Sequence, residues 1–288
     1  MPADSFPPNL SENSRVVDLH LHSNASDGSD PPRRVVERAK EAGLRVISLT
    51  DHDTVDGLGE GRCEAERLGL EFVDGIELSA VHGGRLVHIL GHFIRPAAQA
   101  LAEQIGRYRK SRRTRMDQII ERLKEMGLDV DPEDFYREYE QAGSIGRGQL
   151  SAYLLEKNFV GSREEAFRRY IGEDGPAYVE LDMIFPSRVV EIIVESGGTA
   201  TFAHPNLSNV DKIIPELVDA GLAGIEVEHP SQSDEVRRHY RLLAGRLGLV
   251  EMGGSDCHGG PHGPERMGQF SQPLWAFSEL RERARPEG

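Results

Sequence analysis

Seven short β-rich runs, each followed by a turn or a helical pattern, constrain the fold of this chain more than any other feature. Alternation of strands and helices is typical of a mostly parallel sheet that is covered by helices. Seven strands favour closure of this α/β sheet into a barrel over a two-layer sandwich. The runs are Val16–His22, Arg45–His52, Glu71–Ala80, Arg85–Phe93, Thr199–His204, Gly224–His229 and Leu249–Asp256.

The alternation stops between about Pro96 and Ile184, where the pattern becomes helical. One long helix, or two joined near Gly106, is predicted first, and shorter helices follow around Pro132–Tyr139, Gln149–Lys157 and Ser162–Tyr170. The sequence therefore predicts three parts. They are a disordered tail over residues 1–14, a discontinuous barrel over residues 15–95 and 185–280, and a helical insertion over residues 96–184 that roofs the active site.

The composition excludes several classes of protein. The 288 residues carry a formal net charge of −14, which argues against general affinity for a nucleic-acid backbone. The polar, proline-rich start has no apolar segment typical of a targeting signal, and no apolar run reaches membrane-spanning length. Cys63 and Cys257 are too few for a disulfide framework, so we expect a cytoplasmic protein.

Histidines and acids gather where these strands end. His20 and His22 are two residues apart on a strand and therefore point to the same face. A lone histidine at a strand end is more often a hydrogen-bonded cap than a ligand. A converging set of imidazoles and carboxylates, however, suits Zn²⁺, Mn²⁺ or Fe²⁺ better than Mg²⁺. Because the carboxyl ends of parallel strands share one face, we expect a cluster of His20, His22, His52, Glu77, His88, His204, His229, Asp256 and His258.

Six motifs in order, "DLHLHSNASDG", "SLTDHDT", "GIELSA", "VHILG", "AHP" and "GGSDCHG", resemble those of the PHP (polymerase and histidinol phosphatase) superfamily of metal-dependent phosphoesterases. The resemblance extends from Val16 to Gly263 and implies a distorted seven-stranded (β/α)7 barrel. The segments "GSIGRGQLSAYLLEKNFV" and "AFRRYIGEDGPAYV" resemble the TrpH-like branch. That branch includes a 3′,5′-nucleoside bisphosphate phosphatase and RNase AM, an exonuclease that acts on RNA 5′ ends.

The resemblance implies two to three divalent metal ions, with Mn²⁺ expected and Zn²⁺ or Fe²⁺ as alternatives. It assigns the first metal to His20, His22, Glu77 and Asp256. Glu77 would bridge to a second metal, which also takes His88 and His204. The third position corresponds to Asp27, His52 and His258, and Asp27 stands where other branches carry a histidine.

Two further residues are candidates for the substrate side of the site. Arg147 lies in "GSIGRGQ" at a predicted helix start, where backbone N–H groups and a guanidinium can together bind a phosphate. His229 is not assigned to a metal and is expected to protonate the leaving group or to contact the phosphate. Gln149 departs from the family, which commonly has a histidine there. The basic run Arg107–Arg115 is either a solvated helix face or a strip that guides phosphates.

These observations predict hydrolysis of a nucleotide, or of short 5′-phosphorylated RNA from its 5′ end, by a metal-activated hydroxide. The expected partner is a small-molecule nucleotide or short RNA, with no membrane and no obligate protein partner. Two alternatives stay open at this point. One is a phosphatase of the histidinol-phosphate type, and the other is a non-catalytic binding module stabilised by metal.

Overall fold

A computed structural model describes residues 11, 13–140, 145–180, 183–260 and 266–284. Residues 1–10 and 12, which make up most of the predicted tail, lie outside these ranges. The chain forms two compact units. The first comprises the chain up to Glu103 and from Met183 onward, and the second comprises residues 104–182.

The first unit has an α/β fold, and its sheet has eight strands within the described residues. The strands are β1 (Arg15–Leu21), β2 (Val46–Leu49), β3 (Glu71–His82), β4 (Arg85–His92), β5 (Thr199–Phe202), β6 (Leu222–Glu228), β7 (Val250–Gly253) and β8 (Gln272–Pro273). Their order in the sheet is β7-β6-β5-β4-β3-β2-β1-β8. The sequence predicted the first seven strands, whereas β8 is a two-residue strand, too short to give a pattern.

Strand β4 departs from the predicted parallel arrangement. It pairs antiparallel with both β3 and β5, while β1–β2–β3 and β5–β6–β7 are parallel. The cause is local, because Gly83 (φ 58°) and Gly84 (φ 76°) form a tight turn between β3 and β4. His88 consequently lies inside β4, opposite Ser79, rather than at the carboxyl end of a parallel strand.

The sheet closes almost into a barrel. Strand β8 pairs antiparallel with β1 at one end of the strand order. Beyond β7, Cys257 forms a parallel bridge with Leu21, and the His22 N–H donates to the Cys257 carbonyl at 3.0 Å. The chain that follows β7 is thereby attached to the end of β1, so residues after both strands come together.

Helices of the first unit follow most of the strands. They are α1 (Pro32–Glu41), α2 (Leu58–Leu68), α7 (Pro186–Glu195), α8 (Pro205–Ser208), α9 (Ile214–Asp219), α10 (Asp234–Leu247) and α11 (Leu274–Arg283), with α3–α6 in the intervening segment. Helices α1, α7 and α8 begin with proline, whose fixed φ suits the first turn of a helix. Phe277 of α11 shares a buried core with Val17 and Leu19 of β1.

The second unit is helical and has its own core. Helix α3 (Gln99–Glu125) is continuous through Gly106, and α4 (Pro132–Glu138), α5 (Arg147–Glu156) and α6 (Arg163–Ala166) follow close to their predicted positions. The core is apolar and includes Met116, Ile119, Leu123, Phe135, Leu150 and Tyr153. Among the described residues, every helix is too short or too polar to cross a bilayer.

Candidate metal centre

The nine predicted ligands and His229 lie in or directly after the strands of the first unit. Glu77 is inside β3 and His88 is inside β4, and these two strands pair antiparallel. The others occupy β1 or the segments that follow β1, β2, β5, β6 and β7: His20, His22, Asp27, His52, His204, His229, Asp256 and His258.

Glu77 is the carboxylate around which the other groups are arranged. It is fully buried, and its two oxygens face different sets of imidazole nitrogens. Around Oε2 lie Nε2 of His20 at 3.2 Å, Nε2 of His22 at 3.2 Å and Nδ1 of His52 at 3.3 Å. Around Oε1 lie Nδ1 of His88 at 2.9 Å and Nε2 of His204 at 3.1 Å. One carboxylate can therefore serve two cations, one at each oxygen.

Asp256 completes the first predicted set. Its Oδ1 lies 3.1 Å from Nε2 of His22 and 3.3 Å from Nε2 of His20. These three residues and Glu77 place four ligand atoms within 4.8 Å of one another. The structure thus brings together the full set that the sequence assigned to the first metal.

A second compact group lies on the other side of His22 and contains the third predicted set. Asp27 Oδ1 is 3.2 Å from Nε2 of His258, and Asp27 Oδ2 is 3.9 Å from Nε2 of His52. His22 also reaches this group through Nδ1, 3.9 Å from Asp27. Because a neutral imidazole has one lone pair, His22 can serve only one of the two groups at a time.

In the remaining predicted set, His88 and His204 both face the Oε1 oxygen of Glu77. The compact group of ligand atoms around Glu77 and His88 contains His52 rather than His204. His52 therefore faces this group with Nδ1 and the group of Asp27 with Nε2, and as a neutral imidazole it can serve only one of them at a time.

Several buried ring nitrogens at this centre have no hydrogen-bonding partner within the described part of the chain. They are both ring nitrogens of His22, Nδ1 of His52, Nδ1 of His88 and Nε2 of His229. Nitrogen lone pairs that face carboxylate oxygens at about hydrogen-bond distance are costly in a dry site unless a proton or a cation lies between them. The donor set, imidazole with carboxylate, fits divalent transition metals.

Charge coupling at the centre is strong. Burial alone would lower the pKa of His22, but the nearby carboxylates of Asp256 and Glu77 raise it to about 10. Burial opposes ionisation of Glu77, yet the surrounding imidazoles hold its pKa well below the usual range. Burial dominates at His52 and lowers its pKa to about 4. Without a metal, protons on the histidines therefore balance the carboxylates.

Three buried aspartates hold the backbone around the predicted ligands. Asp51 accepts hydrogen bonds from the N–H (2.8 Å) and Oγ (2.7 Å) of Ser23, at the start of the loop that bears Asp27. Asp53 accepts the N–H of Ser79 at 2.8 Å. Asp18 accepts three backbone N–H groups, from His20 (3.3 Å), Ser255 (3.1 Å) and Gly268 (3.3 Å). Asp18 thus supports the backbone and does not bind an imidazole.

Strained backbone occurs at two of the predicted ligands. His204 has φ 27° and Asp256 has φ 49°, both in the left-handed region that favours glycine. Such conformations cost free energy and persist where surrounding contacts enforce them. The strain directs both side chains toward the carboxylate of Glu77 or the imidazoles beside it.

His229 has one ring nitrogen held by its own turn. Its Nδ1 accepts the N–H of Ser231 at 3.1 Å and lies 2.8 Å from Ser231 Oγ. The proton of the neutral ring is therefore on Nε2, which lies 3.4 Å from Asp256 Oδ2. His229 presents an N–H to the centre rather than a lone pair.

Sequence reasoning missed Glu226, which is fully buried in β6. Its Oε1 lies 2.8 Å from Nδ1 of His20, and it forms a further compact group with His20 and His229. The signal was present, because a single acidic residue stands inside the otherwise apolar stretch "LAGIEV". Alternation alone did not show that this side chain points to the histidines.

Arg147 lies in the second unit, as the first residue of α5. Its NH1 donates to the Ile171 carbonyl at 3.1 Å, and its guanidinium carbon is 5.2 Å from the centre of the Tyr178 ring. Burial lowers its pKa, and burial together with the charge of Arg147 lowers the pKa of Arg115 to about 10. Gln149 accepts the N–H of Gly146 at 2.9 Å and so caps α5 where the family commonly has a histidine.

The basic run Arg107–Arg115 is part of α3 and is not uniformly solvated. Arg115 donates from Nε to the Val179 carbonyl at 2.6 Å. The guanidinium carbon of Arg113 lies 3.9 Å from the centre of the Tyr136 ring. At least two of its arginines therefore pack within the second unit.

Three relatives of this chain are named as a phosphodiesterase, a phosphatase and an exoribonuclease. It is 35% identical to a phosphoribosyl 1,2-cyclic phosphate 1,2-diphosphodiesterase of Eggerthella lenta, over 85% of this chain and 94% of the relative. It is 32% identical to a 3′,5′-nucleoside bisphosphate phosphatase of Chromobacterium violaceum, over 92% of this chain and 97% of the relative. A 5′-3′ exoribonuclease of Haemophilus influenzae is 30% identical, over 85% of this chain and 90% of the relative.

The fold has a close structural counterpart. A proposed metal-dependent phosphoesterase of Bifidobacterium adolescentis superposes with a TM-score of 0.86 at 26% identity, over 98% of this chain and 99% of that structure. Residues 18–110 match the model of the PHP domain. The resemblance seen in the sequence motifs is confirmed, and the chain belongs to the PHP family of metal-dependent phosphoesterases.

Proposed function

We propose that this protein hydrolyses phosphate esters of nucleotides, with a 3′,5′-nucleoside bisphosphate as the first candidate substrate and short 5′-phosphorylated RNA as the second. The arrangement of Glu77 carries the proposal, since each of its two oxygens faces a separate set of imidazoles. A carboxylate shared in this way suits a centre with two cations, which is common among enzymes that displace a group at phosphorus. The names of the relatives from Chromobacterium and Haemophilus supply the substrate classes.

The proposed ligands fall into three sets, and the first two share Glu77. The first is His20, His22, Glu77 and Asp256, the second is Glu77, His88 and His204, and the third is Asp27, His52 and His258. Mn²⁺ is the proposed ion, because mixed imidazole and carboxylate ligands suit it better than Mg²⁺. When bound, such ions would lower the pKa of a water molecule and neutralise charge on the phosphate.

His229 is the proposed proton donor for the departing alkoxide. Its N–H on Nε2 points toward Asp256, and Ser231 keeps the opposite nitrogen occupied. Donation requires the imidazolium, because a neutral ring that lost its Nε2 proton would become an imidazolate. Ser231 Oγ, 2.8 Å from Nδ1, can accept the second N–H of the imidazolium, and loss of the Nε2 proton then leaves a neutral ring.

Arg147 is the proposed phosphate-binding residue of the second unit. It is partly buried at the first turn of α5, and the charges of Arg112 and Arg147 both act on Arg115. Several guanidinium groups close together favour an anion among them, because a shared phosphate relieves their repulsion.

Other substrates and a non-catalytic role compete with this proposal. The relative from Eggerthella supports a cyclic ribose phosphate as a competing substrate, since its identity and coverage are similar to those of the bisphosphate phosphatase. Histidinol phosphate is a further competing substrate. A binding module without catalysis would tolerate loss of ligands, whereas this chain has a suitable residue at each of the nine positions.

One assay panel tests the proposal. Purified protein with Mn²⁺ is offered 3′-phosphoadenosine 5′-phosphate, short 5′-phosphorylated RNA, phosphoribosyl 1,2-cyclic phosphate and histidinol phosphate. We expect phosphate release from the bisphosphate or nucleotide release from the RNA, and loss of both in His20→Ala. Turnover of the cyclic phosphate or of histidinol phosphate alone would overturn the nucleotide assignment, and no turnover with any substrate would favour the binding module.

A further inference from the structure

Glu226 is a buried carboxylate that the nine proposed metal ligands do not include. It occupies the middle of β6, between Ile225 and Val227, and its side chain is fully buried. A buried charge of this kind is costly unless it is paired and hydrogen-bonded. Its partners therefore indicate what it does.

Each oxygen of Glu226 contacts a different proposed ligand. Oε1 lies 2.8 Å from Nδ1 of His20, and Oε2 accepts the backbone N–H of His204 at 2.6 Å. A carboxylate at this distance requires a proton on Nδ1 of His20. The other nitrogen, Nε2, is then the one atom of the His20 ring that can offer a lone pair to a cation, and it lies 3.2 Å from Glu77 and 3.3 Å from Asp256.

The contact with His204 supports a strained segment of backbone. His204 has φ 27° and ψ 60°, and it precedes Pro205, which restricts the preceding residue further. A charge-assisted hydrogen bond from its N–H offsets part of that strain.

Gly254 leaves the space in which Glu226 and His20 meet. A Cβ atom on Gly254 would lie 2.3 Å from Cβ of His20 and 2.9 Å from Oε1 of Glu226. Both distances are too short for a side chain, so the contact between carboxylate and imidazole depends on glycine at this position.

We propose that Glu226 is a positioning residue that keeps His20 as the Nδ1–H tautomer and ties it to the backbone of His204. A single carboxylate thereby orients one ligand from each of two proposed metal positions. Carboxylates that hold a metal-binding imidazole in this way commonly change metal affinity 10- to 100-fold when they are replaced. The inference rests on the metal-binding part of the proposed function.

Glu226→Gln tests the inference with almost no change in size. Glutamine has one carbonyl oxygen, so its NH₂ group must face either His20 Nδ1 or the His204 N–H. In the first arrangement the NH₂ group donates to Nδ1 of His20, so the proton of that ring moves to Nε2 and the lone pair for the cation is lost. In the second arrangement the NH₂ group faces the His204 N–H, and the two donors repel each other. We expect Mn²⁺ to bind at least 10-fold more weakly in isothermal titration calorimetry, with turnover restored by excess Mn²⁺.

Glu228→Gln is the matched control, because Glu228 lies two residues along the same strand and pairs with Arg237 and Arg241 at the surface. Its Mn²⁺ affinity should stay within 2-fold of wild type. Equal affinity in Glu226→Gln and wild type would overturn the inference. Failure of wild type itself to bind Mn²⁺ would instead overturn the metal-binding part of the proposed function.

A measurement on the wild-type protein decides the matter if Glu226→Gln does not fold. Nitrogen-15 NMR of the histidine rings, with and without Zn²⁺, reports which nitrogens carry protons. We expect a proton on Nδ1 of His20 in both samples and Zn²⁺ on Nε2. An unprotonated Nδ1 in either sample would contradict the assignment.

Discussion

The histidines of the centre differ in which ring nitrogen is already engaged. Ser231 occupies Nδ1 of His229 and Glu226 engages Nδ1 of His20, whereas both nitrogens of His22 lack a hydrogen-bonding partner among the described residues. An imidazole whose free nitrogen carries a proton can donate, and one whose free nitrogen carries a lone pair can bind a cation. The local hydrogen bonds therefore separate the proposed acid from the proposed ligands.

Replacement of His229 by glutamine should act selectively on substrates with poor leaving groups. We expect kcat for 3′-phosphoadenosine 5′-phosphate to fall about 10²- to 10⁴-fold, because the departing alkoxide needs a proton. A p-nitrophenyl phosphate ester, whose leaving group needs none, should lose less than 10-fold. Steady-state kinetics of both substrates provide the measurement.

His239→Gln serves as the control for this experiment, since His239 is an exposed histidine paired with Asp211. Its kinetics should match those of wild type. Equal losses for both substrates in His229→Gln would exclude proton donation and leave only a positioning role.

Replacement of Arg147 by alanine should weaken substrate binding. We expect KM to rise at least 10-fold with a smaller change in kcat, because a charge-assisted contact to phosphate is lost. Arg169→Ala is matched to it, since Arg169 is an exposed arginine of the same unit that pairs with Glu165. Unchanged kinetics in Arg147→Ala would remove this residue from the proposed binding site.

His92 is a buried histidine that makes stability depend on pH. Its Nε2 donates to the Leu19 carbonyl at 2.9 Å, and burial lowers its pKa from 6.5 to about 4. The unfolded chain therefore binds a proton between pH 6.5 and 4 that the folded chain does not. Stability from this group is present above pH 6.5 and is lost as the pH falls through 4.

We expect wild type to lose about 2 kcal/mol more unfolding free energy than His92→Gln between pH 7 and pH 4.5. Urea unfolding of both proteins in the presence of a chelator provides the measurement. Parallel pH profiles for the two proteins would show that His92 does not titrate in this way.

The sequence predicted most of the residues that form the centre, but it did not predict which of them contact each other. The motif around His20 and His22 and the histidines after the other strands point to one cluster because strand ends converge. Glu226 and Asp18 are also acids in strands, but their roles depend on which neighbour each oxygen meets. That information comes from the register between distant strands.

Among the elements, β4 shows where sequence patterning reaches its limit. The run Arg85–Phe93 predicts a strand, and the Gly83–Gly84 hairpin turn makes it antiparallel to β3, yet its pairing with β5 joins segments that are far apart in the chain. Antiparallel β4 places His88 opposite Ser79, two residues from Glu77. The histidine reaches the centre through the ladder rather than from a strand end.

Asp18 connects β1 to the segment after β7, and its replacement should loosen that connection. In Asp18→Asn one oxygen becomes an NH₂ group, which cannot accept the N–H of Gly268 or of His20 and Ser255. An unsatisfied buried N–H costs about 1–3 kcal/mol, so we expect a loss of that size in unfolding free energy. Thermal and urea denaturation measure it.

Asp234→Asn is the control for Asp18→Asn, because the side chain of Asp234 is 93% exposed at the start of α10. Its stability should lie within about 0.5 kcal/mol of wild type. Equal stability of Asp18→Asn and wild type would show that water or backbone movement satisfies the three N–H groups.

For the whole molecule, the charge of the buried centre makes stability depend on divalent ions. Glu77 and Asp256 have their pKa held well below the usual range by the surrounding imidazoles, so they stay ionised in the folded protein. A cation that binds the folded state alone stabilises it by RT ln(1 + [L]/Kd), about 2.7 kcal/mol per site at 100 times Kd. We expect saturating Mn²⁺ to raise the Tm by about 10 °C relative to chelated protein.

Trp275 is the only tryptophan of the chain and lies in α11 of the first unit, so its fluorescence follows the unit that contains the centre. The Mn²⁺-dependent shift should appear in this signal, persist in His239→Gln and shrink in His22→Gln. Because Mg²⁺ prefers oxygen ligands, it should give a smaller shift at the same concentration. An identical fluorescence midpoint with Mn²⁺ and with chelator would mean that the cluster of imidazoles and carboxylates is balanced by protons alone, and the metal centre would have to be abandoned.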